Sequence, residues 1–240
     1  MLAFVVAFFV VLVAAATQAL TGFGYSLLAV PLLALALDPK TAVVGAAIAG
    51  MALNIGTVAA ERAHVQWRAT TTLVFFGTLG IPLGLVLLAT LSDRSLRIMI
   101  AIVALLCTAQ VWRGAKLPQH PVVVAVAGFV SGALGTSTGT NGPPLVAAFQ
   151  AMGYDPRQFR ATLGAVFTFT GVIGLAGFVV AQQITSEAAV IGLGTVPAAL
   201  IGWLAGNRLF ARIPADKFRR LVLAALAVSA LVTGVRALRG

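Results

Sequence analysis

Residues 131–145 read SGALGTSTGTNGPPL, between the apolar runs VVVAVAGFV (122–130) and VAAFQAM (146–152). The flanks have the composition of membrane interior, yet the middle is glycine, hydroxyl, amide and paired proline without a single charge. Irregular backbone at membrane depth leaves N–H and C=O groups unpaired, at several kcal/mol each in hydrocarbon. Such a stretch survives only against protein or a water-filled cavity, so its reading decides the architecture.

The rest of the chain supports a membrane setting. Of 240 residues, 60% are hydrophobic and 9% charged, and the mean hydropathy is +1.04. Soluble domains carry roughly a quarter charged residues, so an integral membrane protein is expected. Stretches such as 43–60, 72–91, 97–112 and 190–206 approach the roughly 20 residues a crossing requires. They are too uniformly apolar to be one-sided soluble helices. The N-terminal MLAFVVAFFVVLVAAATQA lacks the basic start of a signal peptide and reads as a retained first helix.

The net charge of +10 does not indicate nucleic-acid binding, because the basic residues are scattered in ones and twos between spans, as the positive-inside rule places them. The lone Cys107 excludes an internal disulfide. No nucleotide-binding glycine loop and no metal-ligating cluster stand out, so neither cofactor nor metal is expected.

A second apolar-flanked glycine segment, TGFGYS (21–26), lies in the first half. Gly22 and Pro31 are spaced like Gly135 and Pro144, and each block is followed by Asp-Pro, at Asp38-Pro39 and Asp155-Pro156. Farther on, Gly80-x-x-x-Gly84 precedes Arg97 as Gly202-x-x-x-Gly206 precedes Arg219. The order of landmarks points to a duplication, as transporters commonly show. The expected fold is therefore all-α and membrane-integral, with repeats over 1–114 and 122–240 joined by a loop at 115–121. Each repeat has five hydrophobic pieces: 1–20, 25–37, 41–60, 70–91 and 96–112, then 122–134, 143–153, 161–181, 188–210 and 221–236. The first pair in each is expected to be short and broken by the glycine segment. If all ten cross, one side collects every Lys and Arg except Lys40, Arg94, Arg97, Arg236 and Arg239. That bias exceeds the one obtained when each short pair counts as one crossing. It makes the halves inverted repeats with both termini on the non-cytoplasmic side.

The glycine segments are expected to open two half-helices whose free N–H groups face a cavity near the midplane, where a helix N-terminus attracts anions. The expected substrate-binding residues are Thr21, Gly22, Phe23, Gly24, Tyr25 and Ser26, then Gly135, Thr136, Ser137, Thr138, Gly139, Thr140 and Asn141. Asn54, an amide inside a span, is a second-tier candidate; a helix–helix hydrogen bond explains it equally well. The alternative for both segments is tight turns and close packing alone, and their matching positions favour a site. Asp38, Glu61, Asp93, Asp155, Glu187 and Asp216 all lie at loops or span ends. A cation pump usually holds a carboxylate within a span, so the cargo is expected to be anionic or neutral. Arg208 and Arg212 are expected to snorkel to the interface. Gln18, Gln110 and Gln150 receive no role.

TGFGYSLLAVPLLALALDP, SGALGTSTGTNGPPLVAAFQAMGYDP and the paired G-x-x-x-G…R stretches together resemble the TauE/SafE family of membrane permeases over nearly the whole chain. The resemblance implies a bacterial inner-membrane, multi-pass secondary transporter for sulfite, a sulfonate such as sulfoacetate, or a related small anion. Family members often carry glycine runs in both motifs; here they read Gly-Phe-Gly-Tyr and Gly-Thr-Asn-Gly. The expected partners are the small anion and the lipid bilayer, with no nucleic acid, and a homodimer is allowed. A passive anion channel, a permease for another small anion and a membrane scaffold are the alternatives. A serine hydrolase using Ser26 or Ser137 lacks a base in reach, since His64 and His120 sit in loops.

Overall fold

The computed structural model describes residues 2–113 and 120–210. The expected last span, 221–236, and the basic residues from Arg212 onward lie outside them, as does most of the 115–121 loop.

Among the described residues there are ten α-helices and no strand. In chain order they are α1 (Leu2–Thr21), α2 (Tyr25–Leu33), α3 (Pro39–Glu61), α4 (Trp67–Thr90), α5 (Asp93–Arg113), α6 (Pro121–Thr138), α7 (Gly142–Met152), α8 (Pro156–Val180), α9 (Ser186–Gly194) and α10 (Val196–Phe210). Among the described residues, six helical stretches are long and apolar enough to cross a membrane: α1, α3 with the short 3₁₀ turn after it, α4, α6, α8, and α9 with α10.

Local chemistry sets the boundaries. Both Asp-Pro pairs begin helices. Asp38 accepts from Thr41 N–H at 2.8 Å, and Asp155 accepts from Arg157 and Gln158 N–H in a capping box. The proline follows in the first turn, where its missing N–H costs nothing. Within the expected 188–210 span, Thr195 separates α9 from α10; Pro197 cannot supply the N–H that would continue the ladder.

One expectation about helix length needs correcting. The first piece of each pair is not short. At 20 residues α1 spans about 30 Å, and α6 continues four residues past the expected end at 134. The short pieces are α2 and α7, of 9 and 11 residues. Pro31 lies inside α2, two residues before its end, and forgoes one bond of the ladder there.

The closest helix contacts run over small residues. On α4, Leu73, Gly77, Gly80, Ile81, Gly84 and Leu88 are buried, while Phe75, Leu79, Leu83 and Val86 are exposed. In hydrocarbon there is no hydrophobic reward for burying large side chains, so helices gain more by approaching closely over small ones. A Cβ at Gly80 or Gly84 would collide with the Phe129 or Ala133 carbonyl of α6. One at Gly202 or Gly206 would collide with the Leu12 or Ala16 carbonyl of α1.

Those contacts also give directions. Along α4, Leu73, Gly77 and Gly84 lie against Gly128, Gly132 and Thr136 of α6 in turn, so the two run parallel. Helix α8 runs with α4, Thr170 lying against Gly77 and Gly177 against Leu85. Helix α3 runs opposite to α8, Met51 meeting Gly171 and Thr57 meeting Gly164. Helices α9 and α10 run with α3, Gly192 meeting Ile48 and Trp203 Nε1 donating to Thr57 Oγ1 at 3.1 Å, and α10 runs with α1. Thus α1, α3 and α10 point one way, and α4, α6 and α8 the other.

Candidate functional site

Two interruptions lie at comparable places, Gly22–Gly24 between α1 and α2, and Gly139–Asn141 between α6 and α7. Both turn on left-handed glycines: Gly22 (φ 82°) and Gly24 (φ 102°) in the first, Gly139 (φ 71°) in the second. A side chain there would carry a penalty of about 1–2 kcal/mol from its Cβ alone. Side chains then fix each turn. Thr21 Oγ1 lies against Thr17 O at 2.8 Å and against the Phe23 carbonyl. Ser131 Oγ reaches from α6 to the Asn141 carbonyl at 2.7 Å, and Gln110 Nε2 of α5 donates to Pro143 O at 3.2 Å.

A cavity of about 70 Å³ lies between the interruptions, enough for about five water-sized objects and hence for one small ion. Of the residues expected to bind substrate, Gly24, Tyr25, Ser26, Asn54, Gly135, Thr136, Gly139, Thr140 and Asn141 line it. Thr21, Gly22, Phe23, Ser137 and Thr138 do not. Phe23 packs beside the apolar cluster around Phe149 and Phe167. Gly22 faces Arg160, whose Cγ would stand 2.8 Å from an added Cβ.

The second interruption is narrower than expected. Gly135–Thr138 belong to α6, and their hydroxyls are already engaged. Thr136 Oγ1 reaches Gly132 O and Ile81 O, Ser137 Oγ reaches Ala133 O at 2.7 Å, and Thr138 Oγ1 reaches Leu134 O at 3.0 Å. Bonding back to a carbonyl four residues earlier is how helical Ser and Thr satisfy themselves away from water. Thr140 Oγ1 likewise meets Thr138 O at 3.3 Å.

The two helix starts are unequal, which the repeat did not foretell. Helix α2 begins without a side-chain cap. Leu28 N–H is the first amide to bond back, to Gly24 O at 3.0 Å, leaving the N–H groups of Tyr25, Ser26 and Leu27 outside the ladder. Helix α7 also lacks a side-chain cap, but Pro143 and Pro144 occupy its first turn and have no N–H to offer. There the Asn141 carboxamide borders the cavity and makes no hydrogen bond to any described residue. Gln18, given no role from sequence, borders the cavity and donates to Asn54 Oδ1 at 2.7 Å. The legible signal was an amide in an otherwise apolar helix, which must find a partner. Met51, Phe167 and Thr170 are also part of the wall; nothing in their local sequence distinguishes them from packing residues.

Beside the first interruption is a buried polar junction. Arg160 of α8, 7% exposed, pairs with Glu61 of α3 at 3.1 Å and donates to Asn207 Oδ1 of α10 at 2.8 Å. Arg97 of α5 donates from Nη2 to Leu37 O at 3.0 Å and from Nη1 to Ala34 O, placing a cation at the C-terminal end of α2. Arg208, expected at the interface, is exposed.

No curated protein and no solved structure matches the chain. The family model described as Sulfite exporter TauE/SafE matches residues 7–233. With that match over almost its full length and six apolar helical stretches able to cross a bilayer, the chain belongs to the TauE/SafE sulfite exporter family of membrane permeases.

Proposed function

We propose that the protein is a secondary transporter of a small sulfur-containing anion, sulfite or an organosulfonate such as sulfoacetate, in a bacterial inner membrane. The anion binds between the two interruptions, and the halves rock about it as inverted repeats in alternating access. The observation that carries this reading is the cavity itself: it lies between the interruptions, beside the uncapped α2 N-terminus, and is bordered by Tyr25, Ser26, Asn54 and Asn141. A helix N-terminus supplies about half a unit of positive charge without a side chain, suited to holding an anion that must later leave.

The helix directions support the inverted repeat. The Gly80/Gly84 helix meets the first helix of the second half, and the Gly202/Gly206 helix meets the first helix of the first half. The matched helices α1 and α6, α3 and α8, and α4 and α10 point in opposite senses. Gly22 and Gly139 then correspond, in register with Asp38 and Asp155, and the equal Gly22–Pro31 and Gly135–Pro144 spacings do not mark equivalent positions.

Purified protein in a thermal-shift panel of sulfite, sulfate, thiosulfate, sulfoacetate and taurine, followed by flux in proteoliposomes, tests the reading. Stabilisation by a sulfur oxyanion and saturable flux are expected. A channel is distinguished by single-channel currents far above any carrier's turnover.

A further inference from the structure

The lining of the cavity is polar yet uncharged. Among the described residues bordering it there is no Asp, Glu, Lys, Arg or His, and Tyr25 is the one titratable side chain. Tyr25 is 2% exposed, and its buried hydroxyl makes no hydrogen bond within the protein. Its ring is fixed by α3, because Gly50 leaves space that a Cβ would fill, 2.8 Å from Tyr25 Cε1. Burying a hydroxyl without a partner costs about 1–3 kcal/mol, and the unladdered amides of Tyr25, Ser26 and Leu27 start beside it. All of these groups donate, and none carries a full charge.

Resting on the anion-carrier reading above, we propose that the site takes its guest as a monoanion and excludes dianions, with the Tyr25 hydroxyl as the selectivity-setting donor. The partial charge of the α2 N-terminus and the neutral donors balance one negative charge. A second charge would enter a low-dielectric site whose lining holds no cation to offset it, which costs several kcal/mol unless it is neutralised by a proton. Sulfonates carry a permanent single charge and satisfy this directly. Sulfite, whose two ionic forms interconvert near neutrality, enters as its protonated form. Each turnover then moves a proton on the cargo, with no carboxylate needed in the lining.

Calorimetric titration of the purified full-length chain, from about pH 6 to about pH 8.5, tests this with sulfite, methanesulfonate and sulfate. If only the monoanion binds, the apparent Kd for sulfite rises about tenfold per pH unit above its second dissociation, in proportion to the vanishing competent fraction. Methanesulfonate affinity stays flat over the same range, which also reports any contribution from His64 or His120. Sulfate binds at least about tenfold more weakly than methanesulfonate. Tyr25→Phe weakens methanesulfonate by about ten- to a hundredfold, and Gly50→Ala, which displaces the ring but keeps the hydroxyl, weakens it in the same direction. Sulfate bound as tightly as methanesulfonate, or sulfite affinity independent of pH, overturns the monoanion proposal while leaving an anion carrier standing. Failure of all three anions to bind overturns the carrier reading and the proposal with it.

Discussion

Asn141 lies in the second interruption and Thr138 three residues earlier, at the end of α6, and sequence alone gives them equal standing as donors. The structure separates them. Thr138 Oγ1 is committed to Leu134 O at 3.0 Å and does not border the cavity, whereas the Asn141 carboxamide borders it unengaged. A hydrogen bond to a charged acceptor contributes about 1.5–3 kcal/mol, so Asn141→Ala should weaken anion binding by about ten- to a hundred-and-fifty-fold. Thr138→Ala should change it less than about twofold, because only a helix back-bond is lost. The turn itself should survive either change, since Ser131 Oγ anchors the backbone carbonyl of Asn141 rather than its side chain. The assay is equilibrium binding of sulfite to purified variants, with thermal unfolding measured in parallel. Equal losses in both variants, or no loss in Asn141→Ala with its melting temperature unchanged, would refute the assignment of donors.

Gly22→Ala combines a left-handed φ with a Cβ set against Arg160, so a loss of about 2 kcal/mol in stability is expected, read as a lower melting temperature in detergent. Gly84→Leu should separate α4 from α6 and lower the melting temperature more than Leu83→Val on the exposed side of the same helix. Arg160→Met alone strands Glu61 and should cost about 3 kcal/mol or more, while Arg160→Met with Glu61→Leu should recover part of that loss; equal melting temperatures for the single and double variants would contradict it. Arg97→Ala removes the cation at the carbonyl end of α2, and a destabilisation of about 1–2 kcal/mol is expected by thermal unfolding.

Much of the architecture could be read before any coordinates, because hydrocarbon imposes a strict length and composition on whatever crosses it. The Asp-Pro pairs and the paired Gly-x-x-x-Gly stretches are short-range signals, and each marks a helix start or a close helix contact. The extent of each interruption was less legible. GTSTGTNG looks irregular throughout, but Gly135–Thr138 are held in α6 by packing against α4 and α8 and by hydroxyls that bond back along the helix, a tertiary outcome no local propensity reports. The same limit applies to partners. Nothing near Gln18 announces Asn54, and nothing near Arg160 announces Glu61 and Asn207, because these meetings depend on how α1, α3, α8 and α10 are arranged. Cavity-lining residues such as Met51, Phe167 and Thr170, to which sequence reading assigned no role, are ordinary membrane residues that border it only by position.

The two prolines that open α7 carry a consequence of their own. In the proposed repeat a gene segment copied once gives the chain the same path twice, but Pro143 and Pro144 strip two hydrogens from the second helix start. A cargo ion in a space this small would therefore be tethered unevenly, chiefly to the first half. During a swing of one half against the other it would travel as a passenger of α2 and not wait at a neutral pivot.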